Sequence, residues 1–465
     1  MNKKKNLLLN NIMRVLSANF LVTMVGFVGS FIFPKILSIE SYAVYHTYLL
    51  YVGYIAILHL GFPSGMVINY AGKNYDTLDK QQYKSEIKIL SIILVSFTIC
   101  FGIISIILQN KILAYVALSI IPVCWLASYK SLVQAWSRFE KYMFINIFVS
   151  VGIPICAIVY YLIFKQLPGE IYIIIYLIIN WISTIFLWGK AFIELMGIKS
   201  ERMLSQKNGE TEKIGILICL GNYINTLFIS ADKQFVGWFF GKTEFAFYSF
   251  GISMQAIMVV FITSMAQPLF PMMAQGKFTN KDYNKIKELL LIFGSFSGCA
   301  YFVVSIIIHT FIEKYAGSIE IIGIYFVVFP AMAVINCLYI NLYKIKGMMK
   351  TYIWTLIGIL GIAIILNLIA ANIFNNSRGI AMATIITYYI WLFLGAYQFK
   401  FIKINRTDLI FLICYICTFF LITQNLSDIW GGIVYFIVIC LLAWFCYRHN
   451  LKKFKFFKGE EDCER

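Results

Sequence analysis

Charge is what this 465-residue sequence has least of: 13% of its residues are Asp, Glu, Lys or Arg, about half of what a soluble domain carries. So little charge cannot solvate the surface of a chain this long. Soluble enzyme, nucleic-acid binder and secreted disulfide scaffold are therefore excluded together. Also missing is any Gly-rich, phosphate-cradling loop closed by Lys-Ser or Lys-Thr, so ATP is not expected to drive the protein directly. Histidine is scarce, four in all. His46 and His59 fall about 220° apart on a helix turning about 100° per residue, which makes no paired metal or proton site. The eleven cysteines suggest no redox role: Cys414 and Cys417 have a CxxC spacing, but inside an apolar helix, where packing accounts for them. No small-residue cleavage site follows the first apolar tract, which reads as a retained helix. No polar segment between tracts is long enough to fold as a catalytic domain.

What fills the chain is apolar (60%) and aromatic (17%) sequence. Val15 to Phe33 is without charge and long enough as helix to cross a ~30 Å hydrocarbon core. Tracts of this kind lie near 12–33, 42–66, 87–109, 112–134, 143–164 and 170–190. A second set lies near 214–231, 245–272, 288–310, 319–343, 351–374, 380–399, 408–424 and 430–447. The expectation is thus an all-α polytopic membrane protein of about fourteen spans, with both termini on one side. The net charge of +17 has a topological reading, because Lys and Arg are retained in the cytoplasm. Apart from Lys35, Lys111, Lys165, Lys233, Lys242, Lys314 and Arg378, every one of the 39 basic residues falls in segments that this count assigns to the cytoplasm.

The two halves resemble each other at a lag of a little over 200 residues. Tyr42-Ala43-Val44-Tyr45 pairs with Phe245-Ala246-Phe247-Tyr248, Pro63 with Pro268, Gly72-Lys73 with Gly276-Lys277, Pro122 with Pro330, and Arg138 with Lys346. The lag covers six helices, an even number, so matched helices run in the same direction, as in a parallel repeat. The expected organisation is a six-helix bundle over 1–192, a cytoplasmic linker over 193–213, a second six-helix bundle over 214–400, two additional spans over 401–447 and a cytoplasmic tail over 448–465. Pro122, Pro154, Pro268, Pro271 and Pro330 all fall inside predicted helices, where each removes a backbone hydrogen bond. Gly294 and Gly298 form a GxxxG pair, a sign of close helix contact.

An Asn-rich start, a Gly-containing first helix, then Phe33-Pro34 to Ser41-Tyr42-Ala43 and Leu60-Gly61-Phe62 together resemble the opening of bacterial polysaccharide flippases. Asp232-Lys233-Gln234-Phe235-Val236-Gly237, followed by Phe245-Ala246-Phe247-Tyr248, is similar to that family's stretch at the start of its second bundle. The family lies within the multidrug/oligosaccharidyl-lipid/polysaccharide exporter superfamily, and the resemblance covers essentially the whole chain. It implies a transporter, not an enzyme, without cofactor, in the bacterial inner membrane with both termini cytoplasmic. The cargo implied is a polyprenyl-pyrophosphate-linked oligosaccharide bound for O-antigen, capsule or exopolysaccharide (lipopolysaccharide-type) assembly. Partners implied are membrane lipid, H⁺ or Na⁺ as coupling ion, and polymerase or chain-length machinery. Such a cargo needs a polar, preferably cationic passage for its head while its tail stays in lipid.

Several residues are candidates for lining that passage, each with a plainer alternative. Arg14 could fork onto a pyrophosphate or snorkel to the interface. Lys130, Gln134 and Arg138 recur every fourth residue on the predicted fourth helix, where they either attract an anionic head or form a solvated helix end. On the predicted seventh helix, Asn222, Asn225 and Asp232 share a face. Asp232 could carry H⁺ or Na⁺, or pair with Lys233 at the outer interface where the helix is expected to end. Gln255, Gln267 and Asn336 could bind sugar hydroxyls or join helices. Tyr42, Tyr45, Tyr48, Tyr51 and Tyr54 read first as an interfacial aromatic belt and second as sugar-stacking rings. Two other functions compete with flipping. An ion-coupled multidrug exporter is disfavoured by the two extra spans, and a membrane polymerase or ligase by the lack of a long external loop.

Overall fold

The computed structural model describes residues 21–70, 80–136, 138–196, 208–276 and 278–451. Among them the secondary structure is helical throughout, with no strand. The helices are α1 (Leu21–Ile36), α2 (Ile39–Ile55), α3 (Phe62–Tyr70), α4 (Lys80–Ile107), α5 (Lys111–Ala135), α6 (Phe139–Phe164), α7 (Gly169–Met196) and α8 (Asn208–Phe239). They continue as α9 (Lys242–Ala274), α10 (Asn280–Phe311), α11 (Ile319–Phe326), α12 (Phe329–Val334), α13 (Ile340–Ile345), α14 (Met349–Ile373), α15 (Arg378–Gln398), α16 (Arg406–Asn425) and α17 (Asp428–Leu451). Among the described residues ten helices are long and apolar enough to cross a membrane. An eleventh span is added if the bent pair Glu313–Phe326 and Phe329–Ile345 is taken as one. The sequence expectation of about fourteen exceeds this by three tracts. One is α1, of which 16 residues are described; one is α8; the third is the predicted span 42–66, which is broken.

That break corrects the sequence reading. α2 stops at Ile55, a 3-10 turn covers Ala56–His59, and Leu60 and Gly61 take positive φ of 49° and 77° before α3 begins. Gly61 suits that conformation, which most side chains disfavour. The angular separation of His46 and His59 assumed one continuous helix and so does not apply.

The chain forms two compact units, Met1–Ser249 and Phe250–Arg465. The core of the first includes Tyr48, Leu90, Ile120, Leu132 and Ile173. Pro122 inside α5 has no N–H for the carbonyl of Leu118, four residues earlier. The indole of Trp181 on α7 donates to that carbonyl at 3.1 Å. Two further α7 side chains repeat the device, Thr184 onto Pro122 O at 3.3 Å and Trp188 onto Trp125 O at 3.2 Å. The carbonyl that the proline frees in a membrane helix is thereby satisfied by a neighbouring helix.

In the second unit Pro330, the sequence partner of Pro122, does not lie within a continuous helix. It stands in the first turn of α12, just after a 49° bend. The carbonyl it leaves without a donor, Phe326 O, accepts from Tyr415 of α16 at 2.9 Å, and Val327 O accepts from Tyr389 of α15 at 3.0 Å. A cysteine thiol meets a carbonyl in both units: Cys124 donates to Ile55 O at 3.5 Å, and Cys337 to Ile262 O at 3.3 Å.

α16 and α17, the two additional spans, pack on α10 through polar contacts as well as apolar ones. Tyr435 donates to Ser295 O at 2.7 Å. At one end Lys287 pairs with Asp408, both buried, and also donates to Lys403 O at 2.5 Å; Tyr447 donates to Asp408 at 2.8 Å. At the other end Asp428 takes Ser305 at 2.9 Å and His309 at 2.8 Å. The GxxxG pair serves two partners, not one: a Cβ on Gly294 would lie 2.4 Å from Pro330 Cα of α12, and one on Gly298 2.4 Å from the Tyr435 hydroxyl of α17.

Candidate functional site

In the first unit, polar and titratable groups gather where α2, α7, α8 and the start of α9 meet. The tyrosines of α2 recur every third residue and read from sequence as an interfacial belt. The structure turns two of them inward. Tyr42 and Tyr48 are buried, Tyr48 sharing a hydrogen bond with Ser119 of α5 at 2.7 Å, while Tyr45, half-buried, lies against Tyr172 of α7 with ring centroids 4.1 Å apart and planes tilted by 51°. His46 is buried between Tyr42 and Tyr45, at centroid distances of 4.2 and 5.0 Å. Lys233 of α8 lies within electrostatic reach of it.

Asp232 corrects a second expectation. α8 does not end there but runs to Phe239, so the carboxylate lies two turns inside the helix. It is 5% exposed and accepts from the Tyr248 hydroxyl of α9 at 3.3 Å. The spacing of three and seven from Asn222 and Asn225 holds along this one helix, with Asn222 exposed and Asn225 half-buried. Beside it a cleft of about 340 Å³ opens between α2, α8 and α9, mostly apolar but with Thr47, Tyr51, Gln234 and Lys242 on its walls. Lys242 pairs on the surface with Glu40 at 3.1 Å.

The other candidates are placed as follows. Arg14 lies outside the described residues. Lys130 is half-buried and donates to Asn146 of α6 at 3.0 Å, so it joins two helices. Gln134 follows on the last turn of α5. Arg138 is not on that helix: α5 ends at Ala135, and Arg138 is the N-cap residue of α6. The three-residue stripe expected on the fourth helix is therefore interrupted by the connection. In the second unit, Gln255 of α9 is buried and donates to the sulfur of Met332 at 3.4 Å, while Asn336 donates to Met332 O at 2.9 Å from a π turn over Ile335–Tyr339. Both converge on Met332, but only Gln255 bridges two helices; the Asn336 bond lies within its own helical segment. Gln267 sits between Pro268 and the middle of α9. Sequence reasoning missed Tyr248 as the partner of Asp232, and the packing of His46 and Tyr172 around the α2 tyrosines. Their only signal was aromatic and imidazole side chains recurring in tracts otherwise aliphatic.

Ten long apolar helices among the described residues, one further bent pair, and proline-freed carbonyls satisfied by neighbouring side chains define a multi-pass membrane protein. Among solved structures, the fold is similar to that of a lipid II flippase, MurJ, in an inward closed conformation, with a TM-score of 0.67 and 16% identity over 94% of this chain and 99% of that one. It also resembles a MATE transporter in complex with MaL6, at 0.50 and 13% over 84% and 94%. An inward-facing multidrug resistance MATE transporter of the MOP superfamily gives 0.51 and 14% over 84% and 98%. No curated protein sequence matches. The family model described as "Polysaccharide biosynthesis protein" matches residues 8–277, more than half of the chain, and the chain belongs to that family. The solved structures it resembles are a flippase and MATE proteins, and the likeness is one of fold.

Proposed function

We propose that the chain is a secondary transporter that flips polyprenyl-pyrophosphate-linked oligosaccharide repeat units from the cytoplasmic to the outer leaflet of the bacterial inner membrane, by alternating access. Residues 1–192 and 214–400 are its two repeats, 401–447 its additional spans, and both termini are cytoplasmic. The observation that carries the reading is the polar face of α8. Asn222 is exposed and Asn225 half-buried within an apolar tract. An amide at that depth is costly against lipid and well placed against a hydrated sugar head. Family membership supports a glycan cargo over a drug. Arg14 and Lys130 remain candidate contacts for the pyrophosphate, and H⁺ or Na⁺ candidate coupling ions.

Deletion in the native host tests this. Lipid-linked oligosaccharide is expected to accumulate in the cytoplasmic leaflet, measured by its protection from an external label. Unpolymerised repeat units reaching the outer leaflet would overturn the reading in favour of a polymerase. R14A and K130A are expected to reduce transport more than expression; normal surface glycan in both would remove these residues from the site.

A further inference from the structure

The break between α2 and α3 has its own chemistry. In a continuous helix the Gly61 N–H would find a carbonyl four residues back. Here it donates to the imidazole Nδ1 of His59 at 3.2 Å. The neighbouring turn is closed by Leu60 N–H onto Ile57 O at 2.7 Å, and the Ile55 carbonyl at the end of α2 takes the Cys124 thiol of α5. The backbone is also wedged from outside. A Cβ on Gly61 would lie 2.5 Å from Gly215 O of α8, and a Cβ on Gly215 2.7 Å from Gly65 N of α3. The break is therefore a backbone-to-backbone crossing of α3 and α8, capped by one imidazole.

Proline does not explain it. The sequence repeat pairs Pro63 with Pro268, and α9 runs unbroken through Pro268 and Pro271. What the first unit has in addition is the left-handed pair Leu60-Gly61 and a ring that satisfies the amide they strand. The position matched to His59 at that lag is Ser264.

We propose that His59 is a proton-responsive latch on this break. Neutral, it accepts the Gly61 N–H and holds the chain broken; protonated, both ring nitrogens carry hydrogens, the acceptor is gone and the latch opens. The titratable group facing the ring is the thiol of Cys219 on α8, 3.9 Å from Nδ1 and also beside the Gly61 backbone, while the Cys124 thiol of α5 lies against the backbone of Ile55 and His59. No charged side chain among the described residues of α2, α4, α5 or α8 acts on the ring. An incoming proton thus meets no fixed countercharge, and its effect falls on the hydrogen bond. Opening the latch frees α3 to move along α8, which would couple proton arrival to the transport cycle. That last role rests on the flipping reading; the latch itself does not.

The test is amide hydrogen exchange on the full-length protein in lipid nanodiscs, following the peptide that spans Ala56–Gly65 at about pH 8 and about pH 5.5. After correction for the intrinsic rate, acid is expected to lower protection there about three- to tenfold, as the loss of one hydrogen bond would, while α14 is unaffected. His59→Gln, which can accept but not be protonated, is expected to lose the acid response, and His59→Arg to show the low-pH level throughout. An unchanged wild-type peptide, or a Gln variant that still responds, overturns the latch. Should the deletion strain flip its lipid normally while the wild-type peptide still responds, the latch stands and the cargo reading falls.

Discussion

A carboxylate inside an apolar bundle is costly unless its charge is used or compensated, and Asp232 has the Tyr248 hydroxyl and the Lys233 ammonium among its neighbours. It accepts from Tyr248, and an asparagine oxygen in the same place could do so too. Asp232→Asn separates the two roles. If the charge takes part in transport, the variant keeps its membrane abundance while surface glycan falls at least about tenfold, equivalent to ~1.4 kcal/mol of transition-state stabilisation. Tyr248→Phe, which removes only the donor, is expected to cost about threefold. Immunoblots of membranes and of surface glycan read both. Equal glycan in Asp232→Asn and wild type would make the residue structural. That an acid lies at the end of the seventh tract was legible from sequence; that the helix continues past it and buries it was not. The helix continues through Lys233 and Gln234, two residues that ordinarily mark an interface, because α8 runs on to Phe239. Tyr42 and Tyr48 misled for a related reason: a tyrosine suits an interface and a buried hydroxyl contact equally well.

At the level of elements, apolar length made most helices legible, whereas their breaks depended on hydrogen bonds between segments distant in sequence. Nothing local to Pro330 predicts that Tyr389 and Tyr415 will satisfy the carbonyls beside it. Pro122 is as strong a breaker, yet α5 continues through it because Trp181 is placed to help. The seating of the two additional spans was likewise hidden. Lys287 looks like one more cytoplasmic lysine, but it is buried against Asp408, whose other oxygen takes Tyr447. Lys287→Met leaves that carboxylate buried without its cation and is expected to destabilise the second unit by about 3–5 kcal/mol. The double variant Lys287→Met, Asp408→Leu removes both charges and should recover most of the loss. Thermal unfolding in detergent measures both. A single variant as stable as wild type would show that the pair does not hold α16 and α17 in place.

For the molecule as a whole, composition settled the class, because lipid penalises charge strongly enough to leave long uncharged tracts. What remains for the complete chain is the direction of work. A pyrophosphate-linked head is anionic, and the interior of the cell is negative. Outward movement is then favoured by roughly 2.3 kcal/mol per charge for each 100 mV. If the passage carries the head with its charge uncompensated, collapsing the potential with valinomycin and potassium should slow flipping at constant pH. If a cation travels inward in exchange, collapse of the pH or sodium gradient should slow it further. If cations accompany the head outward in equal charge, the potential should have no effect. Right-side-out spheroplasts, with cargo arrival followed by an external label, distinguish the three. A rate indifferent to the potential would mean that the head crosses neutralised, and the cationic side chains expected along its path would then have to bind it without moving net charge.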